Sequence, residues 1–121
     1  MKTTISILCI MIMFAALAGA QSMTGAASAD PSPAAQSMAA ANETIRNNPK
    51  EYTGFNLLAA ALVRRAQETS DVSFYKQADD AVKQSLKIAP NNFETEKIRV
   101  SILLGEHEYP NALEAAKALN K

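Results

Sequence analysis

The sequence contains little cysteine or histidine, and its positive and negative charges are equal in number. One cysteine and one histidine occur among its 121 residues, and 12 Lys and Arg residues balance 12 Asp and Glu residues. A chain with no excess of positive charge has little to attract nucleic acid or an anionic membrane surface. We therefore predict neither of these as a partner of the folded chain.

The first twenty residues have the pattern of a secretory signal peptide. Lys2 precedes the apolar run Ile5 to Leu17, and Ala18-Gly19-Ala20 supplies small residues where a signal peptidase cuts. We predict cleavage after Ala20, which leaves 121 − 20 = 101 residues, enough for one small domain. An uncleaved membrane anchor is the alternative, but the run is shorter than the roughly 20 residues that a spanning helix needs.

Cleavage would also remove the cysteine and one lysine. Cys9 lies inside the apolar run, so the mature chain would have no thiol for a disulfide, a thiolate metal site or a nucleophile. A lipid anchor is not predicted, because Ala20 stands where bacterial lipoproteins carry the modified cysteine. Without Lys2 the net charge would be 11 − 12 = −1.

The rest of the chain divides into a linker, residues 21–35, and a helical domain, residues 36–121. The linker is rich in Ala, Ser, Gly and Pro and has no apolar period, which predicts a flexible tether. Breaks such as Asn47-Asn48-Pro49 and Ala89-Pro90-Asn91-Asn92 divide the remainder into segments with helical apolar spacing. We predict helices at about 36–47, 51–69, 73–88, 93–104 and 109–120. Asn91 and Glu94 have the spacing of a capping pair at the start of the fourth helix, and Pro110 falls in the first turn of the fifth. Because all four connections are short, successive helices should pack as antiparallel hairpins in an all-α fold.

Residue offsets from two loop prolines resemble those of the tetratricopeptide repeat. Forward from Pro49, the first helix has an aromatic, a large, a small and a large residue: Phe55, Leu58, Ala59 and Leu62. Backward from Pro90, the second helix has small, bulky and small residues: Ala78, Val82 and Ser85. Tyr75 and Tyr109, like Ala78 and Ala112, are 34 residues apart. The resemblance covers residues 36–121 and implies a short α-solenoid of about two and a half repeats.

Two departures from the family pattern carry information. Pro49 and Pro90 are 41 residues apart, which is seven more than the family period of 34. Seven residues make about two helical turns, so we predict a lengthened first helix and a longer turn after it, which resembles a variant of the repeat common in secreted bacterial proteins. Glu96 and Arg99 stand where two large apolar residues are expected, and their spacing allows them to pair on one helix face.

The resemblance implies a concave groove, formed by the first helices of successive hairpins, that holds an extended peptide or a partner's helix. Carried over by offset, its lining would be Thr53, Asn56, Ala60, Val63 and Arg64, then Glu94, Lys97, Ser101 and Leu104. Among these, Asn56 can bond a peptide backbone, and Arg64 and Lys97 can hold carboxylates. We predict these three residues and Ser101 as partner-binding; an ordinary solvated surface is the alternative.

The last helix suggests a second surface. About three stacked repeats with a polar cap are usually needed for stability, whereas the predicted helices amount to about two and a half repeats. We therefore expect an apolar end face at Leu113, Ala116 and Leu119, covered by a second copy or by a partner protein. Two alternatives stay open: the face is tolerated in a monomer, or the chain is a truncated fragment of a longer array.

No catalytic or cofactor-binding constellation is recognisable. Glu106, His107 and Glu108 are consecutive, and consecutive residues rarely converge on one metal ion without further ligands. Asp79 and Asp80 are adjacent on a predicted helix and diverge. We predict no metal, no cofactor and no enzymatic activity; a site built from Glu96, Arg99 and His107 is the one enzymatic alternative.

Taken together, these features predict an exported interaction module, or scaffold, that binds a peptide or protein. The signal peptide predicts a periplasmic or secreted location, and the bacterial setting is implied by the family resemblance. The alternative function is a structural assembly subunit that self-associates, for example as a homodimer, or stacks through its last helix.

Overall fold

The computed structural model describes residues 32–121, and the predicted signal peptide and most of the predicted linker lie outside them. These residues form five helices, α1 (Pro33–Asn47), α2 (Tyr52–Thr69), α3 (Ser73–Ile88), α4 (Phe93–Gly105) and α5 (Tyr109–Leu119), and no strand. The predicted all-α fold is confirmed. Within the same residues, no helix is long and apolar enough to cross a bilayer.

Helix α1 begins three residues earlier than the sequence analysis predicted, so Pro33 to Ala35 belong to the helix and not to the linker. The cause is a local cap: Ser32 Oγ accepts a hydrogen bond from the Ala35 N–H at 3.1 Å, and Pro33 lies in the first turn. Arg65 Nη1 of α2 also donates to Ser32 Oγ, at 2.9 Å. The start of α1 is thereby held against the neighbouring helix.

The capping residue of α4 is Asn92 and not the predicted Asn91. Asn92 Oδ1 accepts a hydrogen bond from the Thr95 N–H at 3.0 Å, whereas Asn91 has a φ of 60° and belongs to the turn before it. Pro110 lies in the first turn of α5, as predicted, where its missing N–H costs no helical hydrogen bond.

Successive helices pack against each other along the chain, and α2 also packs against α4. Short connections make these successive pairs antiparallel. The predicted lengthening of the first helix is confirmed, since α2 has 18 residues. It ends at Thr69, because the φ of 58° places the next residue, Ser70, in the left-handed region that stops a helix.

Small side chains permit the close packing of these helices. Ala59 of α2 and Ala78 of α3 are both 0% exposed, and Tyr75, Val82 and Ile102 pack in the same core cluster. Two glycines mark the closest approaches. An ideal Cβ on Gly54 would lie 2.8 Å from Ile45 Cγ1 of α1, and one on Gly105 would lie 2.2 Å from Tyr75 Cζ. The backbone itself therefore contacts a neighbouring helix at these two points.

Candidate partner-binding surfaces

The predicted groove positions lie mostly on an exposed face of α2 and α4. Ala60 and Arg64 are exposed on α2, and Lys97, Ser101 and Leu104 are exposed on α4. Val63 is an exception, because it is 8% exposed and belongs to the core cluster. The expectation that Val63 lines the groove is therefore wrong, because the side chain is buried in the core and is not available to a partner.

Asn56 was expected to bind a peptide backbone, but its side-chain oxygen already accepts hydrogen bonds inside the protein. Asn56 Oδ1 accepts hydrogen bonds from Ser85 Oγ at 2.7 Å and from Thr95 Oγ1 at 2.8 Å. Ser85 and Thr95 are fully buried and lie 2.9 Å apart. The amide therefore joins α2 to α3 and α4, and only its NH2 group remains to meet a peptide. Sequence reasoning counted Ser85 only as a small residue and did not use its hydroxyl.

Two of the other predicted groove residues also have partners within the protein. Lys97 Nζ forms an ion pair with Glu94 Oε2 at 2.9 Å and lies 5.4 Å from the centroid of the Phe93 ring. Ser101 Oγ donates to the backbone oxygen of Lys97 at 3.3 Å. Arg64 is exposed and forms no ion pair with any residue in the range 32–121. Of the predicted set, Arg64 is the side chain most available to a partner.

A second surface lies between α1 and α3, over one face of α2. This α1–α3 cleft has a volume of about 410 Å³. Its floor and sides are apolar, and its rim carries three amides and one carboxylate. The lining consists of Met38, Phe55, Leu58, Leu62 and Ala81, with Asn42, Gln77, Asp80 and Gln84 at the rim.

The cleft exists because α1 and α3 both flank α2 without meeting. Both helices lie wholly within residues 32–121, and no Cα atom of one lies within 8 Å of a Cα atom of the other. Phe55, Leu58 and Leu62 recur at helical spacing on the face of α2 that points between them. Leu62 is nearly fully buried, whereas Phe55 and Leu58 are only half-buried. Sequence reasoning took all three as core residues and predicted no cleft.

The rim of the cleft offers hydrogen-bonding groups that are not already used. Asn42, Gln77 and Gln84 are exposed, and their side-chain amides form no hydrogen bond with any group of residues 32–121. Asp80 is different, because its Oδ1 lies 3.8 Å from Lys83 Nζ. Asp79 also holds this lysine, and the hydrogen bond to Asp79 raises the pKa of Lys83. The carboxylates near the cleft are thus partly neutralised, while the amides remain uncommitted.

A third surface is a groove of about 310 Å³ between α4 and α5. Of the predicted end-face residues, only Leu119 lines this α4–α5 groove. Ala116 is half-buried, and Leu113 is 55% exposed elsewhere on α5. The α5 side of the groove is formed by the next small residues on the helix, Ala115 and Ala118. The expected pairing of Glu96 and Arg99 is confirmed, with Oε2 and Nη1 3.1 Å apart, and both line the groove.

His107 lies apart from these surfaces. Its Nδ1 is 2.7 Å from Tyr109 Oη, and both side chains are exposed. Within residues 32–121, no three His, Cys, Asp or Glu side chains converge as a metal site would need. Glu96 and Arg99 line the groove between α4 and α5 without His107. The enzymatic alternative that required these three residues together thus receives no support from the lining of that groove.

Comparison with known proteins does not identify a protein related to this chain. No protein-family model, no curated protein and no solved structure matches this chain. The chain is therefore described by its own geometry, an all-α arrangement of packed neighbouring helices. The resemblance to tetratricopeptide repeats continues to rest on residue offsets in the sequence.

Proposed function

We propose that this chain is an exported, non-catalytic interaction module of the tetratricopeptide type, and that it holds an apolar side chain of a peptide or protein partner in the α1–α3 cleft. One observation carries the proposal: the cleft combines an apolar floor with three amides that have no partner within residues 32–121. This combination suits a peptide, because a peptide presents apolar side chains together with backbone donors and acceptors.

The size and composition of the cleft support this kind of ligand. Pockets for bound ligands usually have volumes of roughly 300–1,000 Å³ and a mostly apolar lining with a few polar groups. The volume of about 410 Å³ is in that range. Met38 at one wall is a flexible side chain that can adapt to different apolar groups. Since Asp80 already lies near Lys83, the cleft has little uncompensated negative charge to attract a cationic ligand.

The exposed face of α2 and α4 is the alternative location for the same function. Arg64 there lines a small pocket of about 190 Å³ together with Leu57, Ala60 and Ser37. Lys97 is also available, because an exposed ion pair such as that with Glu94 contributes little and exchanges readily. A partner with a carboxylate would suit this face better than the cleft.

Selection from a phage-displayed library of random peptides, followed by fluorescence anisotropy of the selected peptides, tests the proposal and separates the two locations. Gln84→Trp places a large ring at the rim of the cleft, and Lys87→Trp is its matched control on the same helix outside the cleft. Burial of one Leu or Phe side chain contributes about 1.5–3 kcal/mol. Blocking the cleft should therefore weaken binding roughly tenfold or more.

We expect Gln84→Trp to weaken binding, while Lys87→Trp and Arg64→Glu leave it within about twofold. Loss of binding in Arg64→Glu alone would place the site on the face of α2 and α4. A library that yields no binding peptide under conditions where the protein is folded would overturn the proposed function.

The proposed export has a separate test. Intact-mass measurement of the protein recovered from the periplasmic or secreted fraction should give the mass of a chain that begins at Gln21. A chain that retains Met1 in every fraction would contradict both the signal peptide and the proposed location.

A further inference from the structure

The α4–α5 groove has an arrangement of charge that is complementary to itself. It contains one carboxylate, Glu96, and one guanidinium, Arg99. The rest of the lining is one amide and four apolar or small residues: Asn91, Phe93, Ala115, Ala118 and Leu119. Phe93 at its edge is 54% exposed, although it is a large aromatic side chain. The small Ala115 and Ala118 on the α5 side keep the groove open enough for another helix to approach.

We propose that this face binds a second copy of the chain, with the two α4 helices antiparallel about a two-fold axis midway between Glu96 and Arg99. The two residues are three apart on α4, so they are separated along the helix axis by about 4.5 Å. A two-fold axis at the midpoint exchanges their heights. Glu96 of each copy therefore lies opposite Arg99 of the other copy.

Two apolar residues on the same side of α4 as Glu96 and Arg99 follow the same symmetry. Phe93 precedes Glu96 by one turn, and Leu103 follows Arg99 by about one turn on the same side of α4. Antiparallel packing brings Phe93 of one copy near Leu103 of the other copy. The exposed aromatic ring is then covered, and the two ion pairs at the centre become a cluster of alternating charge.

A second copy suits this face better than an unrelated helix, because each copy presents the charges that the other needs. A partner helix that presents charges of one sign would meet one like charge, at Glu96 or at Arg99, and like-charge contacts in an interface are unfavourable. A second copy presents the required opposite charges at the required spacing without any further assumption. The inference does not depend on the proposed peptide binding, because the α1–α3 cleft lies on other helices.

Analytical ultracentrifugation of the purified protein, from about 1 µM to about 1 mM, tests the inference with charge-reversed variants. The wild type should form a concentration-dependent dimer. Glu96→Arg places only guanidiniums at the axis, and Arg99→Glu places only carboxylates there. Each variant alone should raise the dimer Kd roughly tenfold or more. An equimolar mixture of the two restores opposite charges, so it should form heterodimers with a Kd within about threefold of the wild type.

The mixture separates an interface from a role in folding, because neither variant regains its own Glu96–Arg99 pair in it. Glu43→Arg and Arg46→Glu are matched controls, since that exposed pair has the same spacing but lies on α1, which does not pack against α4 or α5. Phe93→Ala gives a further readout: this exposed side chain should weaken dimerisation without reducing the helical circular dichroism signal.

Three results would overturn the proposal. One is a wild type that stays monomeric up to about 1 mM. Another is a mixture of the two reversed variants that forms no heterodimer while each remains folded by circular dichroism. The third is a control variant, Glu43→Arg or Arg46→Glu, that weakens the dimer as much as Glu96→Arg does.

Discussion

Replacement of Gly105 by alanine tests whether helix propensity or packing dominates at the end of α4. An ideal Cβ at this position would lie 2.2 Å from Tyr75 Cζ, 2.3 Å from Cε1 and 2.5 Å from Oη, whereas ordinary contact begins at 3.4 Å. The ring would have to move by about 3.4 − 2.2 = 1.2 Å. Tyr75 is 7% exposed within the core cluster. A side chain in such a densely packed interior moves only if its neighbours move as well.

The two effects oppose each other, and their magnitudes predict the sign. Alanine is favoured over glycine by about 0.8–1.0 kcal/mol inside a helix, and less at the last residue, where Gly105 lies. Overpacking of a core costs about 1–3 kcal/mol. Two ring atoms and the hydroxyl oxygen of Tyr75 lie closer than any normal contact, so we expect a cost in the upper half of that range. Gly105→Ala should therefore destabilise the protein by about 1–2 kcal/mol.

Thermal unfolding followed by circular dichroism measures this effect. A loss of 1 kcal/mol lowers the Tm of a domain of this size by about 4–8 °C. In a Tyr75→Leu background the clash is removed, and the same Gly105→Ala change should be neutral or stabilising. The two backgrounds form a double-mutant cycle that isolates the contact. Ser101→Ala, at an exposed position of the same helix, controls for propensity. If Gly105→Ala raises the Tm, or costs the same in both backgrounds, the packing argument is refuted.

Three further predictions concern other contacts. Thr95→Val keeps the shape of a fully buried side chain but removes the hydroxyl that bonds Asn56, so urea unfolding should show a loss of about 1–2 kcal/mol; unchanged stability would contradict the network. Gly54→Ala should destabilise by a similar amount in the same assay, about 1–3 kcal/mol, because its Cβ would lie 3.0 Å from the backbone nitrogen of Ile45; a more stable variant would be inconsistent with this contact. Hydrogen bonds from the side chain and backbone of Ser73 lower the pKa of Asp71 from 3.8, so its stabilising contribution is present above that pH and is lost as the pH falls through the lowered pKa. The Tm difference between the wild type and Asp71→Asn should therefore shrink below pH 3.8, and a constant difference down to low pH would refute this reading.

Helix positions were determined almost entirely by the sequence. Proline and asparagine clusters end helices through local backbone constraints, and apolar spacing identifies the face that packs, so neither needs knowledge of distant residues. Four of the five helices begin within one residue of their predicted starts. The start of α1 was missed because the serine that caps it lies in a segment whose composition is that of a linker. The alanines expected at close helix contacts, Ala78 and Ala112, are indeed buried.

Which polar side chains remain available to a partner was decided only by the tertiary structure. In the sequence, Asn56, Arg64 and Lys97 are equally plausible binding residues. In the folded chain, Asn56 bonds Ser85 and Thr95, which are 29 and 39 residues away. Periodicity and propensity describe neighbours along the chain, so they hold no information about a hydrogen bond across such separations. Lys97 has its partner three residues away, a spacing that the sequence does show.

The α1–α3 cleft was likewise decided by the tertiary structure. The spacing of Phe55, Leu58 and Leu62 predicts that one face of α2 is apolar, but spacing alone does not say how far apart the helices beside it lie. That distance depends on how side chains of three helices pack together, because each helix settles where its own contacts are satisfied. The sequence thus determined which residues of this protein are apolar and which helix each belongs to. The packing of α1, α2 and α3 decided that some of these residues line an open cleft.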